Sequence, residues 1–237
     1  LVGVGARVSE ALRDLLRGRL SRLEAVVARQ ERAERTRNAI LDAAAEVFDE
    51  YGFNGASLSD ILAKAGVTKG ALYFHFSSKE DLAHALVSEQ FIVGQALPNE
   101  SPIGIQTAID LCHDMANSLR TSVRVRASIR LVIETGTFAD PAPDAYTGWI
   151  RIVREYMIAA QERGDLKADL DPDVIARWVI ASFTGIQISS QVLSGREDIH
   201  ERVTEMWRIA LPGLVPPRRV ARFVPSGTAG FGAKDIA

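Results

Sequence analysis

The stretch that constrains this chain most is Gly66-Val67-Thr68-Lys69-Gly70-Ala71-Leu72-Tyr73-Phe74-His75-Phe76. A helix-breaking Gly-Val pair stands between two short helical patterns. After it comes a very short segment carrying a cation, a glycine, an aromatic hydroxyl and a histidine. The arrangement predicts the turn and second helix of a helix-turn-helix, the kind of helix that is laid into a DNA major groove.

The flanking residues agree. Upstream, Ile40, Leu41, Ala44, Val47, Phe48 and Tyr51 recur at three-and-four spacing, which predicts a helix over 28–51 with one buried face. Gly52 stands where a left-handed C-cap ends such a helix. Arg29, Arg32, Arg35 and Arg37 crowd its front, with Glu31 and Glu34 between them. That row reads either as a solvated charged face or, together with Thr36, as an entry that anchors phosphates. Ser57 is placed as the N-cap of a second helix, with Asp60 three residues on, and Leu58, Ile61, Leu62 and Ala65 make its inward face. Thr68 caps the next helix. There Leu72 and Phe76 point inward and leave Lys69, Gly70, Tyr73 and His75 outward. Lys69, Tyr73 and His75 are donors suited to phosphate oxygens and base edges, and Gly70 lets the backbone approach closely. The alternative is that Tyr73 and His75 are satisfied core residues.

Composition excludes several classes. The chain of 237 residues carries a net charge of −2, a sum that can hide a local basic face. A single cysteine, Cys112, excludes an internal disulfide, fits a reducing cytoplasm and reads as a small buried hydrophobe. No apolar run reaches the roughly 18 residues of a membrane span. The N-terminus lacks a secretory core and cleavage site, so a cytoplasmic location is expected. His75, His84, His113 and His200 are dispersed without metal-ligand spacing, and Gly66 to Gly70 lacks the Gly-Lys-Ser/Thr ending of a phosphate loop. No enzyme, cofactor or metal is expected.

Everything else reads as helix, giving an all-α expectation: a helix-turn-helix domain over 28–83, a helical ligand-binding and dimerisation body over 84–215 and a mobile tail over 216–237. Residues 1–27 leave three readings open, namely added sequence, an extended start or a real amphipathic arm built on Leu12, Leu15, Leu16, Leu20 and Leu23. In the body, helices are expected from Ile105 to Leu119, near 123–135 and from Tyr146 to Gln161. Asp171-Pro172 opens a long helix that is apolar nearly all round, and a last helix runs from Glu197 until Pro212-Gly213 ends it. That surplus of apolar surface, with Met206 and Trp207 on the last helix, calls for a second copy. Within the apolar surroundings stand Thr184 and Gln187, with Trp149 and Tyr146. Singly, such hydroxyls more often bond their own helix. Together, an aromatic wall and a few polar groups are what a small-molecule pocket requires.

Thr36-Arg37, Ile40 to Ala44, Tyr51-Gly52-Phe53, Ser57 to Ile61, Ala65 to Phe76 and Ser78 to Leu82 together resemble the TetR family of one-component repressors over about fifty residues. The resemblance implies that Lys69, Gly70, Ala71 and Tyr73 lie against the major groove. It also implies that Thr36, Ser57, Ser59, His75 and Lys79 hold phosphates of a palindromic double-stranded operator, with Arg35, Arg37 and Thr68 beside them, in a homodimer. Ala28 to Ala33, Tyr146-Thr147-Gly148-Trp149, Met206-Trp207 and Leu211 to Pro216 are similar to the γ-butyrolactone autoregulator receptors of Streptomyces-type bacteria. This subgroup represses antibiotic genes until a butyrolactone, butenolide or furan signal binds, and it includes pseudo-receptors that answer other molecules. By this likeness Trp149 is the pocket tryptophan, with Tyr146, Thr184 and Gln187 as further ligand contacts.

Overall fold

In the computed structural model, the backbone is described for residues 2–95, 103–134 and 144–228, and the side chains for 26–88, 103–134 and 146–228. The expected break after Ile133, at 135–143, lies outside the described residues. Every regular element among the described residues is helical: α1 Val2–Gly55, α2 Leu58–Ala65, α3 Lys69–His75, α4 Lys79–Gln95, α5 Ile105–Thr121, α6 Val123–Ile133, α7 Asp144–Glu162, α8 Pro172–Ser194 and α9 Ile199–Leu214. A 3-10 turn follows over Pro217–Arg222. The backbone of α1 starts at Val2 and runs through residue 28 without a break.

Local chemistry sets the head. Gly52 adopts φ 68° inside α1, breaking its regular path at the expected glycine. Ser57 caps α2 by accepting from the Asp60 N–H, and Gly66 ends it at φ 64° with its N–H on the Leu62 carbonyl. Thr68 caps α3 through the Ala71 N–H at 3.2 Å. Ile40, Leu41, Phe48, Ile61, Leu72 and Leu82 are buried together, and Phe48 and Phe53 stack at 6.0 Å.

The body is built from α5, α7, α8 and α9 around a second core. Asp171 caps α8, with Pro172 in the first turn. Trp207 and Met206, expected to contribute surplus surface, are instead buried in this core, while Ile209 on the same helix is 80% exposed. Pro212 does not end α9 but sits inside its last turn. The Val215 N–H still closes on the Leu211 carbonyl, and the Lys167 ammonium donates to the carbonyls of Pro212 and Gly213 at 3.1 and 2.8 Å. A cation at that carbonyl end offsets the bond that proline cannot make.

The segment after 216 departs furthest from expectation. Through Thr228 it is a docked strap rather than a mobile tail, and residues 229–237 lie outside the described ones. Arg219 donates to the Arg163 carbonyl and the Asp165 carboxylate at 2.6 and 2.7 Å, and Val220 and Phe223 pack on the body core. Beyond them, α5 reads the strap's backbone. Gln106 accepts from the Val224 N–H and donates to its carbonyl, Asp110 accepts from Thr228, and His113 Nε2 lies 2.9 Å from the Pro225 carbonyl. His113 also meets His200 of α9, Nδ1 to Nδ1, at 3.1 Å, with the two rings stacked 5.4 Å apart. A carbonyl only accepts, so His113 carries its proton on Nε2 and accepts from His200 at Nδ1.

Burial pulls the His113 imidazole below its ordinary value of 6.5, outweighing the Pro225 carbonyl and Asp110. The folded state therefore holds His113 neutral while the unfolded chain takes up the proton first, so stability is lost as pH falls below about 6.5. Asp198, held at about 2 chiefly by hydrogen bonds from Ser190 and Ser194, with Arg202 adding to them, loses its contribution only between pH 3.8 and that value. The thermal midpoint should fall between about pH 7.5 and about pH 5.5, and His113→Gln, which retains a donor and an acceptor, should flatten that slope. An unchanged slope in the variant would place the proton uptake elsewhere.

Candidate DNA interface and ligand cavity

On α3 the short helix buries only Leu72, with Phe76 buried just after it. Lys69 and Gly70 are exposed, Tyr73 is 47% exposed, Ala71 and His75 are half-buried. The Lys69 ammonium lies 5.8 Å from the Tyr73 ring centroid, so the cation and the phenol share one outward face. Phe74 is 75% exposed, its edge against His75 at 4.9 Å, and the sequence reading did not single it out. Its position one residue after Tyr73 was the available signal. Ser57, Ser59 and Thr68 stand exposed at the starts of α2 and α3.

The remaining head residues have partners within the chain. Thr36 bonds back to the Arg32 carbonyl at 3.0 Å, Arg35 pairs with Glu31 at 3.7 Å, and the Arg37 guanidinium lies 5.2 Å from the Phe76 centroid. Lys79 lies over the Phe53 ring at 4.3 Å and donates to the carbonyls of Phe53 and Ala56 at 2.8 and 2.9 Å. This satisfies the end of α1 and the turn into α2 from inside the protein.

In the body, Trp149, Tyr146, Thr184 and Gln187 all line one cavity of about 660 Å³, part of it open to solvent. Leu111, Cys112, Met115 and Leu119 of α5, Ile129 and Val132 of α6, Val153 of α7, and Ile180 and Phe183 of α8 complete the wall. Trp149 is 8% exposed, and Tyr146 lies at the more open side. The Thr184 hydroxyl donates to the Ile180 carbonyl at 2.8 Å, leaving its oxygen as an acceptor. Gln187 is 3% exposed and lines the same cavity. Burial pushes the Cys112 thiol up to about 12, so it faces the cavity as an inert apolar group. No group of His, Cys, Asp or Glu among the described residues is arranged to hold a metal, and no helix among them is long and apolar enough to cross a membrane.

The exposed donor face on α3 and the largely apolar cavity are the parts of a ligand-controlled DNA-binding protein, and comparison with known proteins agrees. The family description "Bacterial regulatory proteins, tetR family" matches residues 40–86, and "Tetracyclin repressor-like, C-terminal domain" matches 105–216. The A-factor receptor protein of Streptomyces griseus is 41% identical over 208 residues, covering 88% of this chain and 74% of that relative. The chain belongs to the TetR family. It is a TetR-type transcriptional repressor related to the A-factor and γ-butyrolactone receptors, and its relatives are DNA-binding regulators rather than enzymes.

Among solved structures, a γ-butyrolactone receptor described as ArpA-like superposes with a TM-score of 0.71 at 35% identity, covering 82% of this chain and 96% of that one. The TetR-family protein CprB of Streptomyces coelicolor, solved in complex with its biological operator sequence, gives 0.69 at 34%, covering 79% and 93%.

Lys79 separates the inward role from the phosphate contact that the resemblance implies. Lys79→Met keeps the stem over Phe53 and removes two charge-assisted hydrogen bonds, so the unfolding free energy in urea should drop by about 1–3 kcal/mol. An unchanged stability would return the ammonium to the DNA.

Proposed function

We propose that this TetR-family repressor is a homodimer that holds a palindromic operator until a neutral, largely apolar lactone of the γ-butyrolactone or butenolide class enters the cavity. The observation that carries the ligand half is a cavity wall that is mostly apolar, with Tyr146, Thr184 and the buried Gln187 as polar groups on it. A carboxamide offers both a donor and an acceptor, so Gln187 suits a ligand carbonyl or hydroxyl. Among the described residues no Lys, Arg, His, Asp or Glu lines the cavity, so a charged ligand would meet no counter-charge from them. The related A-factor and γ-butyrolactone receptors make a lactone the natural candidate for a neutral carbonyl compound of this polarity.

For the dimer, Val174, Trp178, Ile188, Val192 and Leu193 of α8 and Ile209 of α9 are large apolar side chains, each at least 41% exposed in the single chain. A twofold pairing through these helices would bury them and set two α3 helices at successive major grooves. The ligand would then favour a state in which the two heads no longer match those grooves.

The test is a gel shift on the DNA upstream of the protein's own gene, with and without synthetic γ-butyrolactones and butenolides. Lys69→Ala and Tyr73→Ala should each weaken operator binding by about tenfold or more, at roughly 1–3 kcal/mol per lost contact, in a dimer that remains folded. Wild-type affinity in both variants would remove α3 from the interface. Gln187→Leu should bind the operator as the wild type does and need about tenfold more lactone for release. Release at the wild-type dose would move the polar anchor elsewhere. Operator binding that no lactone or butenolide reverses would leave a repressor that answers another apolar molecule.

A further inference from the structure

The helix α6 belongs to two cores at once. Ala127 and Leu131 are fully buried in the core of the head, whereas Val125 is buried in the core of the body, Ile129 packs against it, and Ile129 and Val132 form part of the cavity wall. The spacing 125, 129, 132 makes one stripe of the helix, and 124, 127, 131, 134 makes another. The second stripe ends in polar groups that grip α1. Arg124 donates to the Asp42 carboxylate and the Asn38 carbonyl at 2.6 and 3.0 Å, and Arg126 to the Asp49 carboxylate at 2.8 Å. Arg130 donates to the Asp49 carbonyl at 2.6 Å and to Glu134 at 2.8 Å, and the other Glu134 oxygen accepts from the Phe53 N–H at 2.8 Å.

These last bonds close over one particular turn. Asp49 and Phe53 flank Gly52, where φ is 68° and α1 leaves its regular path. A Cβ at Gly52 would lie 2.7 Å from one Glu134 oxygen and 2.8 Å from an Arg130 nitrogen, so the clamp seats directly on the glycine. Arg130 supplies a donor to a carbonyl and Glu134 an acceptor to an N–H, on opposite sides of the Gly52 kink near the end of α1, just before the helices that carry the DNA face.

We propose that Arg130 and Glu134 are positioning residues that fix the angle of the DNA-binding head on the body, and that α6 carries cavity occupancy to the head through this clamp. The route runs from Ile129 and Val132 through α6 to the Gly52 turn of α1, beside the packing of α6 on the linking helix α4. It rests on the reading of the protein as a dimer on a palindromic operator.

A head angle is read by the half-site spacing that two heads tolerate. Wild-type protein would select a palindrome from random duplexes, and affinity would be compared for that duplex and for versions with one base pair inserted or removed at the centre. Glu134→Ala should narrow the discrimination between spacings by about tenfold, a size within the ordinary range of coupling between sites. Glu134→Gln, which keeps an oxygen for the Phe53 N–H, should retain most of it. An Ala variant that melts as the wild type does and discriminates spacings equally well would overturn the proposal. A second measurement holds if Glu134→Ala is poorly folded. Ile129→Phe fills part of the cavity from the α6 side and should weaken operator binding several-fold in the wild type but not further in Glu134→Gln combined with Arg130→Gln. Additive effects would overturn the route through the clamp. Wild-type protein without any spacing preference would instead overturn the dimeric-operator reading, and the clamp with it.

Discussion

The burial of one short helix in two hydrophobic cores is the constraint on which the rest depends. Side chains on α6 are fixed on one side by Leu72, Phe48 and their neighbours around the head, and on the other by the body core. Packed interiors do not deform continuously, so such a helix either keeps its place or shifts both units together. The head, with a core drawn mainly from α1 and α4, borrows Ala127 and Leu131 of α6 to complete its interior. The cavity borrows Ile129 and Val132 for its wall. Neither unit is complete without the helix that joins them.

Charge is distributed to match. The net value of −2 says little about where the cations work. Arg124, Arg126 and Arg130 face carboxylates and carbonyls of α1, and Arg219 and Arg222 share Asp165 at the far end of the body. These cations are employed in holding the protein together. Lys69, by contrast, lies beside a tyrosine on an exposed face, which leaves its charge open to a phosphate backbone. Among the described residues the cavity wall carries no Asp, Glu, His, Lys or Arg, so selectivity there falls to shape and to a small number of neutral polar groups.

Features legible in the sequence were those decided by a few adjacent residues. Ser57, Gly66 and Thr68 are caps, and a cap is chosen by chemistry within three or four positions. The periodicity of α8 was equally visible, as was the grouping of Trp149 and Tyr146 with Thr184 and Gln187, although their shared cavity required α7 to lie against α8. What escaped the sequence depends on partners far along the chain. Glu134 bonds an amide 81 residues away, and His113 meets a histidine 87 residues away. Nothing near Lys79 in sequence shows that it donates to the carbonyls of Phe53 and Ala56, whatever else it meets on DNA. Met206 and Trp207 were placed on the wrong side of α9 because two apolar residues in a row do not reveal which face meets the core. The strap was misjudged for a related reason. Arginine, glycine and serine without hydrophobic periodicity resemble a loose end, yet hydrogen bonds to peptide groups need no pattern in the side chains.

That last point has an evolutionary and practical side. Gln106, Asp110 and His113 recognise peptide groups of residues 224–228 rather than their side chains, apart from the Thr228 hydroxyl. Related chains are therefore free to vary this segment while keeping the same attachment, and alignment would lose sight of it. Gly227 is the exception, since it holds φ 80° and a Cβ there would lie 3.0 Å from the His113 ring. A fragment cut at residue 216, where the family match stops, would remove the strap partners of an imidazole, a carboxylate and a carboxamide on α5 in one stroke, leaving His113 only His200, and Gln106 and Asp110 only each other. The outer surface of the helix whose inner face lines the cavity would be left bare.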